Sequence, residues 1–184
     1  MLVTTVSTDE ELQQVSSLNQ LNLKKNISEK KISKEGFVSW EYDLDLLKAV
    51  HHFSPSIIAK EDTTVVGYAL VAVKAAAVHP ELAALLNKIE PLLYKTKPLS
   101  AYNYYIMGQV CIDKNYRGLA LFDQMFALHK ELYQPQFDFV ATTIATQNVR
   151  SLKAHERVGF RVIHKIADHM GNWLLVIWDW GEPG

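Results

Sequence analysis

Residues 104–112, Tyr-Tyr-Ile-Met-Gly-Gln-Val-Cys-Ile, form an almost unbroken apolar run interrupted by one amide side chain, Gln109. A strand with one wet face alternates apolar and polar residues, so a short continuous run reads as a strand buried on both faces. Such a strand needs a layer packed on each side, and helices are the usual cover. The chain is thereby directed to an α/β arrangement with this run near the middle of its sheet. A helix of the right kind comes directly after it. Residues 118–133 place Leu121, Phe122, Met125, Phe126, His129 and Leu132 along one face at steps of three and four, which makes an amphipathic helix.

The remaining elements bracket this centre. Residues 2–6 read as a short β-branched strand, and Ser7-Thr8-Asp9-Glu10-Glu11 supplies the capping and acidic residues that start a helix running to about Leu21. Residues 24–35 carry five lysines and two glutamates without an apolar stripe, and read as a solvated, mobile connection. A second helix is expected over residues 44–52, closed by Ser54-Pro55-Ser56. Residues 56–59 and 64–73 read as a hairpin around Glu61-Asp62-Thr63. Residues 80–94 then carry Leu82, Leu85, Leu86, Ile89, Leu92 and Leu93 at helical spacing behind Pro80, so residues 79–102 read as a helical insertion before the central strand. After the centre come a strand at 137–145 and a helix at 148–158 with Asn148 as N-cap and Gly159 as C-cap. A hairpin of residues 160–167 and 173–180 around Met170-Gly171-Asn172 ends the order. The expected product is one α/β domain over residues 1–184: a mixed, mostly antiparallel sheet with helices on both faces.

Composition removes several classes of function. Nineteen Lys plus Arg balance twenty Asp plus Glu for a net charge of -1, so no overall positive field exists to hold nucleic acid or an anionic membrane. The single cysteine, Cys111, allows no intramolecular disulfide and no multi-cysteine zinc site, and fits a reducing, cytoplasmic compartment. The first residues lack the basic and long apolar regions of a signal peptide. No apolar run approaches the roughly 18 residues of a membrane span. Zinc-protease histidine spacing, a Gly-x-Ser-x-Gly elbow and Gly-Lys-Ser/Thr are absent. His164 and His169 near the last hairpin lack a carboxylate partner, so no metal site is expected.

Chemistry concentrates in two segments. In Val110-Cys111-Ile112-Asp113-Lys114-Asn115-Tyr116-Arg117-Gly118-Leu119-Ala120-Leu121-Phe122 a buried strand turns into a helix, whose free N–H groups from Gly118 to Phe122 converge beside Arg117. Such a spot binds phosphate. Alternatively Gly118 only relieves a tight turn and Arg117 is a solvated surface residue. The second segment, Asn148 to Phe160, starts another helix after another strand. Together the two resemble the GNAT superfamily of acetyl-CoA-dependent N-acyltransferases. The family's pyrophosphate loop reads Arg/Gln-x-x-Gly-x-Gly/Ala; here Arg117 to Phe122 place Ala120 for the usual Gly and Phe122 for a small residue. The family's later helix has Asn, a small residue three on, Tyr seven on and Gly-Phe eleven and twelve on. Asn148, Ser151, Gly159 and Phe160 match it, and His155 stands at the Tyr position.

That resemblance implies acetyl-CoA as co-substrate and a direct attack by an amine within a ternary complex. The strand ending at Ile112 would splay from the next, the N–H of Val110 would hold the thioester carbonyl, and that of Ile112 the pantetheine amide. The diphosphate would lie on the N–H groups of Gly118, Leu119, Ala120, Leu121 and Phe122 beside Arg117, with Asn148 and Ser151 at the pantetheine arm. Ala120 suits this loop if its φ is helical, and Phe122 if its ring turns into the core. His155 would protonate the departing thiolate, since a pKa near 6.5 lets imidazole carry a proton near neutrality; otherwise it is a helix residue beside Glu156. The central strand holds no carboxylate or histidine to act as base. Glu41, His51, His52 and His79 are candidates, while Tyr105 or Gln109 would orient the amine. Cys111 reads as core. Trp40, Tyr42, Tyr102 and Tyr105 suggest a small, partly apolar amine, shaped by residues 24–52, the inserted helix and the last hairpin. The inserted helix is expected to cover the acceptor site or a dimer interface, and the resemblance leaves a homodimer open. The departures at Ala120, Phe122 and the missing base motivate a second reading, a non-catalytic acyl-CoA-binding or sensing module.

Overall fold

β-Branched and aromatic residues gather into seven strands in the computed structural model, which describes residues 1–27, 36–77 and 79–181. The strands of the sheet are β1 (Leu2–Thr5), β2 (Ile57–Glu61), β3 (Thr64–Ala72), β6 (Tyr104–Ile112), β7 (Phe139–Ala145), β8 (Arg161–Asp168) and β9 (Gly171–Asp179). Their order is β1-β2-β3-β6-β7-β9-β8. Only β6 and β7 run parallel; every other pair is antiparallel. The expected mixed, mostly antiparallel sheet is the one formed, and the apolar run lies at its centre.

Helices cover both faces. α1 (Asp9–Asn22), α2 (Leu44–His51) and α3 (Pro80–Ile89) pack on the face that carries Tyr68, Leu70, Tyr104 and Ile106. α4 (Leu121–Tyr133) and α5 (Val149–Val158) cover the other, where Tyr105, Met107, Val140 and Val176 point. Phe126 of α4 is fully buried there, a burial that contributes on the order of 1.5–3 kcal/mol. Thr8 caps α1 by accepting the Glu11 N–H, and Asp43 caps α2 by accepting the Leu46 N–H. Residues 79–102 differ in one respect from the expected single helix. α3 stops at Ile89 with Glu90 as its C-cap, because Pro91 has no N–H to donate to the preceding turn. The chain continues as a small hairpin of β4 (Leu93–Tyr94) and β5 (Lys97–Pro98).

Two irregularities of β6 disrupt the sheet at its centre. Its pairing with β7 covers only Tyr104, Ile106 and the residue between them, opposite Phe139 to Ala141; beyond that the two strands part. On its other side the register with β3 shifts between Ala69 and Val71, so that Gly108 and Gln109 bulge opposite Leu70. Residues 36–42 cross this region and are pinned by Asn19, which is 0 % exposed. Its Nδ2 donates to the Trp40 carbonyl at 3.0 Å and to Gln109 Oε1 at 2.6 Å, and its Oδ1 accepts the Tyr42 N–H at 2.9 Å. A buried amide satisfied this fully holds its neighbours in one arrangement. Of the connection expected to be solvated and mobile, residues 24–26 form a 3₁₀ turn, and residues 28–35 lie outside the described residues.

Candidate active site between the parted strands

The open side of β6 is decided by one hydrogen bond. The Asp113 N–H donates to the Val66 carbonyl of β3 at 2.8 Å. Successive backbone N–H groups of a strand point to opposite sides, so the N–H of Cys111 also faces β3, while those of Val110 and Ile112 face the gap left by β7. The gap is a narrow cleft of about 80 Å³ with Val110, Thr142, Asn148, Ser151 and His155 among its walls. It meets a wider groove of about 830 Å³ that runs past Ile112 to the start of α4.

At that start Gly118 has φ +83° and Ala120 φ +56°. The first intrahelical bond is made by the Gln124 N–H to the Ala120 carbonyl at 3.0 Å, leaving the N–H groups of Leu121, Phe122 and Asp123 without a helical acceptor. Arg117 lies on the groove wall with Nε donating to the Ile112 carbonyl at 3.2 Å. Three expectations change here. Ala120 is left-handed rather than helical, which costs a non-glycine residue roughly 1–2 kcal/mol. Leu119 is 53 % exposed and off the groove wall. The helix begins at Leu121, so Asp123 joins the free N–H groups. Phe122 does turn inward, with its ring 4.6 Å from Phe126 and 5.2 Å from His155. Three further cations from α5, Arg150, Lys153 and Arg157, also line the groove. Their spacing of three and four puts them on one helix face, a signal present in the sequence but outside the two motifs. Arg157 is paired with Asp123 at 3.0 and 3.2 Å.

Asn148 sits where cleft and groove meet and is 8 % exposed. Its Oδ1 caps α5 through the Ser151 N–H at 3.3 Å, and its Nδ2 donates to the Phe37 carbonyl at 3.1 Å. His155 is 1 % exposed. Its Nδ1–H donates to the Ser151 carbonyl at 2.8 Å, and Nε2 is buried with no partner. Burial among Phe122, Phe126 and Phe160 pushes its pKa down to about 4. Near neutrality the ring is therefore uncharged and Nε2 accepts. The ordinary imidazolium on which the expected thiolate-protonating role rested is not available.

The far end of the cleft is walled by Trp40, Tyr42, Leu46, His79, Glu81 and Leu82. Of the expected bases only His79 lies there. Glu41 is held outside by Lys25 at 2.6 Å and by Gln20, bonds that lower its pKa; His51 and His52 are not on the wall. Glu81, in the first turn of α3, also lines this end, and spacing does not reveal it because its approach to the cleft depends on how α3 packs on the sheet. Tyr105 points to the opposite face, with its hydroxyl 3.0 Å from His129 Nδ1, and Tyr102 packs on Tyr94 and Phe139. Neither reaches the amine end. Gln109 lines the cleft, but its Oε1 accepts from Asn19 and Tyr68 and its Nε2 donates to the Trp40 carbonyl. Cys111 is core, its thiol pushed up to about 12 by burial. His164 donates to the Leu93 carbonyl at 2.7 Å, and no group of three His, Cys, Asp or Glu suited to a metal exists among the described residues. No helix among them is long and apolar enough to cross a membrane.

This sheet, parted at its one parallel pair and followed by a helix start that faces the gap, is the fold of the GNAT acetyltransferases. Ard1 from Thermoplasma volcanium superposes with a TM-score of 0.68 at 11 % identity, over 98 % of each chain. A GNAT-family acetyltransferase from Streptococcus agalactiae gives 0.65 at 15 % identity, over 98 % of this chain and 96 % of that one. Arabidopsis thaliana Naa50 in complex with the bisubstrate analogue CoA-Ac-MVNAL gives 0.64 at 13 % identity, over 96 % and 98 %. No family model and no curated protein matches the chain by sequence.

Proposed function

We propose that the protein is an N-acetyltransferase that uses acetyl-CoA as co-substrate. The observation that carries this reading is the parted pair β6 and β7, with the N–H groups of Val110 and Ile112 turned into the gap. Unpaired backbone donors at a sheet centre are costly unless a ligand takes them, and an extended pantetheine arm with its amides is such a ligand. The N–H of Val110 then polarises the thioester carbonyl as an oxyanion hole. The N–H groups at Gly118, Ala120, Leu121 and Phe122 hold the diphosphate beside Arg117, with Arg150 and Lys153 on the same groove. Asn148 and Ser151 flank the arm where cleft and groove join. The protein positions and polarises, and the cofactor brings the activated acyl group.

His155 serves in its neutral form. The amine nitrogen supplies the proton that the departing sulfur takes, and Nε2 accepts the hydrogen bond of the resulting thiol. The acceptor reading is a small-molecule amine, supported by the narrowness of the cleft. A peptide N-terminus is the second reading, supported by the peptide portion of the analogue on Naa50. A single buried cysteine suits the reducing cytoplasm. Residues 79–102 are an addition to the shared scaffold.

Heating the protein with acetyl-CoA at about 100 times its Kd is expected to show roughly 2.7 kcal/mol of stabilisation, and an unchanged melting temperature ends the cofactor reading. An amine panel with thiol release as readout separates enzyme from sensor. Release that falls at least tenfold in His155→Ala supports catalysis, and cofactor binding without release for any amine supports the sensing module.

A further inference from the structure

The cleft walls hold a charge pattern that the cofactor does not explain. Beyond the thioester end they carry one carboxylate, Glu81 at the start of α3, and no lysine or arginine among the described residues. Tyr42 stands between Glu81 and β6. Its hydroxyl approaches Gly108 so closely that a Cβ at that position would lie 2.9 Å from Oη, and no protein hydrogen bond engages that hydroxyl among the described residues. Gly108 is two residues from Val110, so Oη lies close to where the thioester carbonyl would sit. Burial holds the Tyr42 phenol proton on, and the charge of Glu81 adds to this in the same direction. Beside these two polar groups His79, the N-cap of α3, also lines the wall, and the rest of it is largely apolar, with Trp40, Leu46, Leu82 and Leu85.

α3 is fixed in this position from outside. Lys88 Nζ donates to the Ala167 carbonyl of β8 at 2.6 Å, and the hairpin after α3 is tied to the sheet by Tyr94 Oη and Lys95 Nζ, 2.8 and 2.9 Å from Asp179 Oδ2. The segment is therefore a fixed wall of the cleft, with Glu81 itself exposed to solvent, and the space left, about 80 Å³, is far below the roughly 300 Å³ of an ordinary drug-sized pocket.

We infer that Glu81 and Tyr42 form the ammonium subsite of the acceptor, and that the acceptor is a small primary amine on a short apolar stem. This rests on the acetyltransferase reading above. The ammonium docks against the Glu81 carboxylate and gives it one proton, which passes to solvent at the exposed mouth. Tyr42 Oη orients the resulting neutral nitrogen toward the carbonyl carbon. The carbon–nitrogen bond forms, the carbon–sulfur bond breaks, and the sulfur takes a second proton from the nitrogen, leaving amide and thiol.

n-Butylamine, an ammonium ion at pH 7, and n-butanol are the probes, titrated into the free protein by NMR with the Trp40 indole N–H as reporter. The wild type is expected to bind butylammonium at least tenfold more tightly than butanol, Glu81→Gln to lose that preference to within twofold, and Glu81→Asp to keep its direction. Tyr42→Phe is expected to weaken butylammonium binding while retaining the preference. A preference unchanged in Glu81→Gln, or none in the wild type, overturns the subsite. Tighter binding of a pentapeptide with a free N-terminus than of butylammonium overturns the small-amine assignment. Because Glu81 lies on the cleft wall and off the cofactor groove, the acetyl-CoA melting shift is expected to be the same in wild type and Glu81→Gln. Its absence from both strikes the acetyltransferase reading while the amine preference is still measured.

Discussion

Ala120 occupies the one backbone position of the anion loop where its side chain is a cost. At φ +56° the Cβ crowds the following carbonyl, a penalty of roughly 1–2 kcal/mol that glycine does not bear. Glycine in turn loses more entropy on folding, by about 0.4–1 kcal/mol. Ala120→Gly is therefore expected to stabilise the fold by about 0.5–1 kcal/mol, seen as a higher denaturant midpoint at unchanged slope; a lower midpoint contradicts the strain. The identity of the residue was visible in the sequence, but its φ was not, because the turn leading into α4 sets that angle. The same division holds elsewhere. Asn148 was legible as a helix cap, since a cap depends on neighbours three residues away, whereas its second bond, to Phe37, joins parts of the chain 111 residues apart. His155 was legible as a position and illegible as an acid, because its pKa is decided by three phenylalanine rings, two of them from other elements.

At the scale of elements, β6 is the informative one. Its double-sided burial followed from composition alone. Its parting from β7 did not, because a short parallel pairing leaves no trace in hydrophobic periodicity. The consequence can be measured residue by residue. With acetyl-CoA bound, the amides of Val110 and Ile112 are expected to exchange with solvent at least tenfold more slowly, while those of Cys111 and Asp113, which face β3, are expected to change little. Equal protection of all four would show a general tightening of the strand and not a ligand in the gap. α3 shows the reverse case. Its apolar face predicted a helix correctly, and the stop at Ile89 was also written locally in Pro91. Its tie to β8 through Lys88 depends on a strand 79 residues further along the chain.

For the whole molecule, two buried histidines govern how stability responds to acid. Burial pushes His129 down to about 3 and His155 to about 4, while in the unfolded chain both titrate near 6.5. Between those values the unfolded state binds more protons, so stability is fully present above about pH 6.5 and falls as the pH drops toward 4. Carboxylates such as Glu11, lowered from 4.5, lose their contribution only further down. The window from about pH 6.5 to 4.5 thus belongs to the histidines. Urea midpoints across it are expected to decline steadily, and His129→Leu to flatten part of the slope; a flat wild-type profile contradicts neutral burial of both rings. Charge has its own lesson at this scale. A net charge of -1 argues against a polyanion surface but not against one phosphorylated ligand, because α5 gathers three cations on one face beside Arg117.

The sequence by itself determined the α/β class, the order of elements, the central buried strand and the two helix starts that suggest an anion site. All of these rest on interactions within a few residues, where periodicity, capping and turn chemistry act. The parting of β6 from β7 was expected only through the family resemblance, and only the tertiary structure decided that residues 36–42 cross the gap, that Tyr105 and Tyr102 face away from it, and that Glu81 and Tyr42 line the same cleft. Those outcomes depend on which distant surfaces pack together, and packing free energy is set by shape and burial between segments that local pattern does not connect.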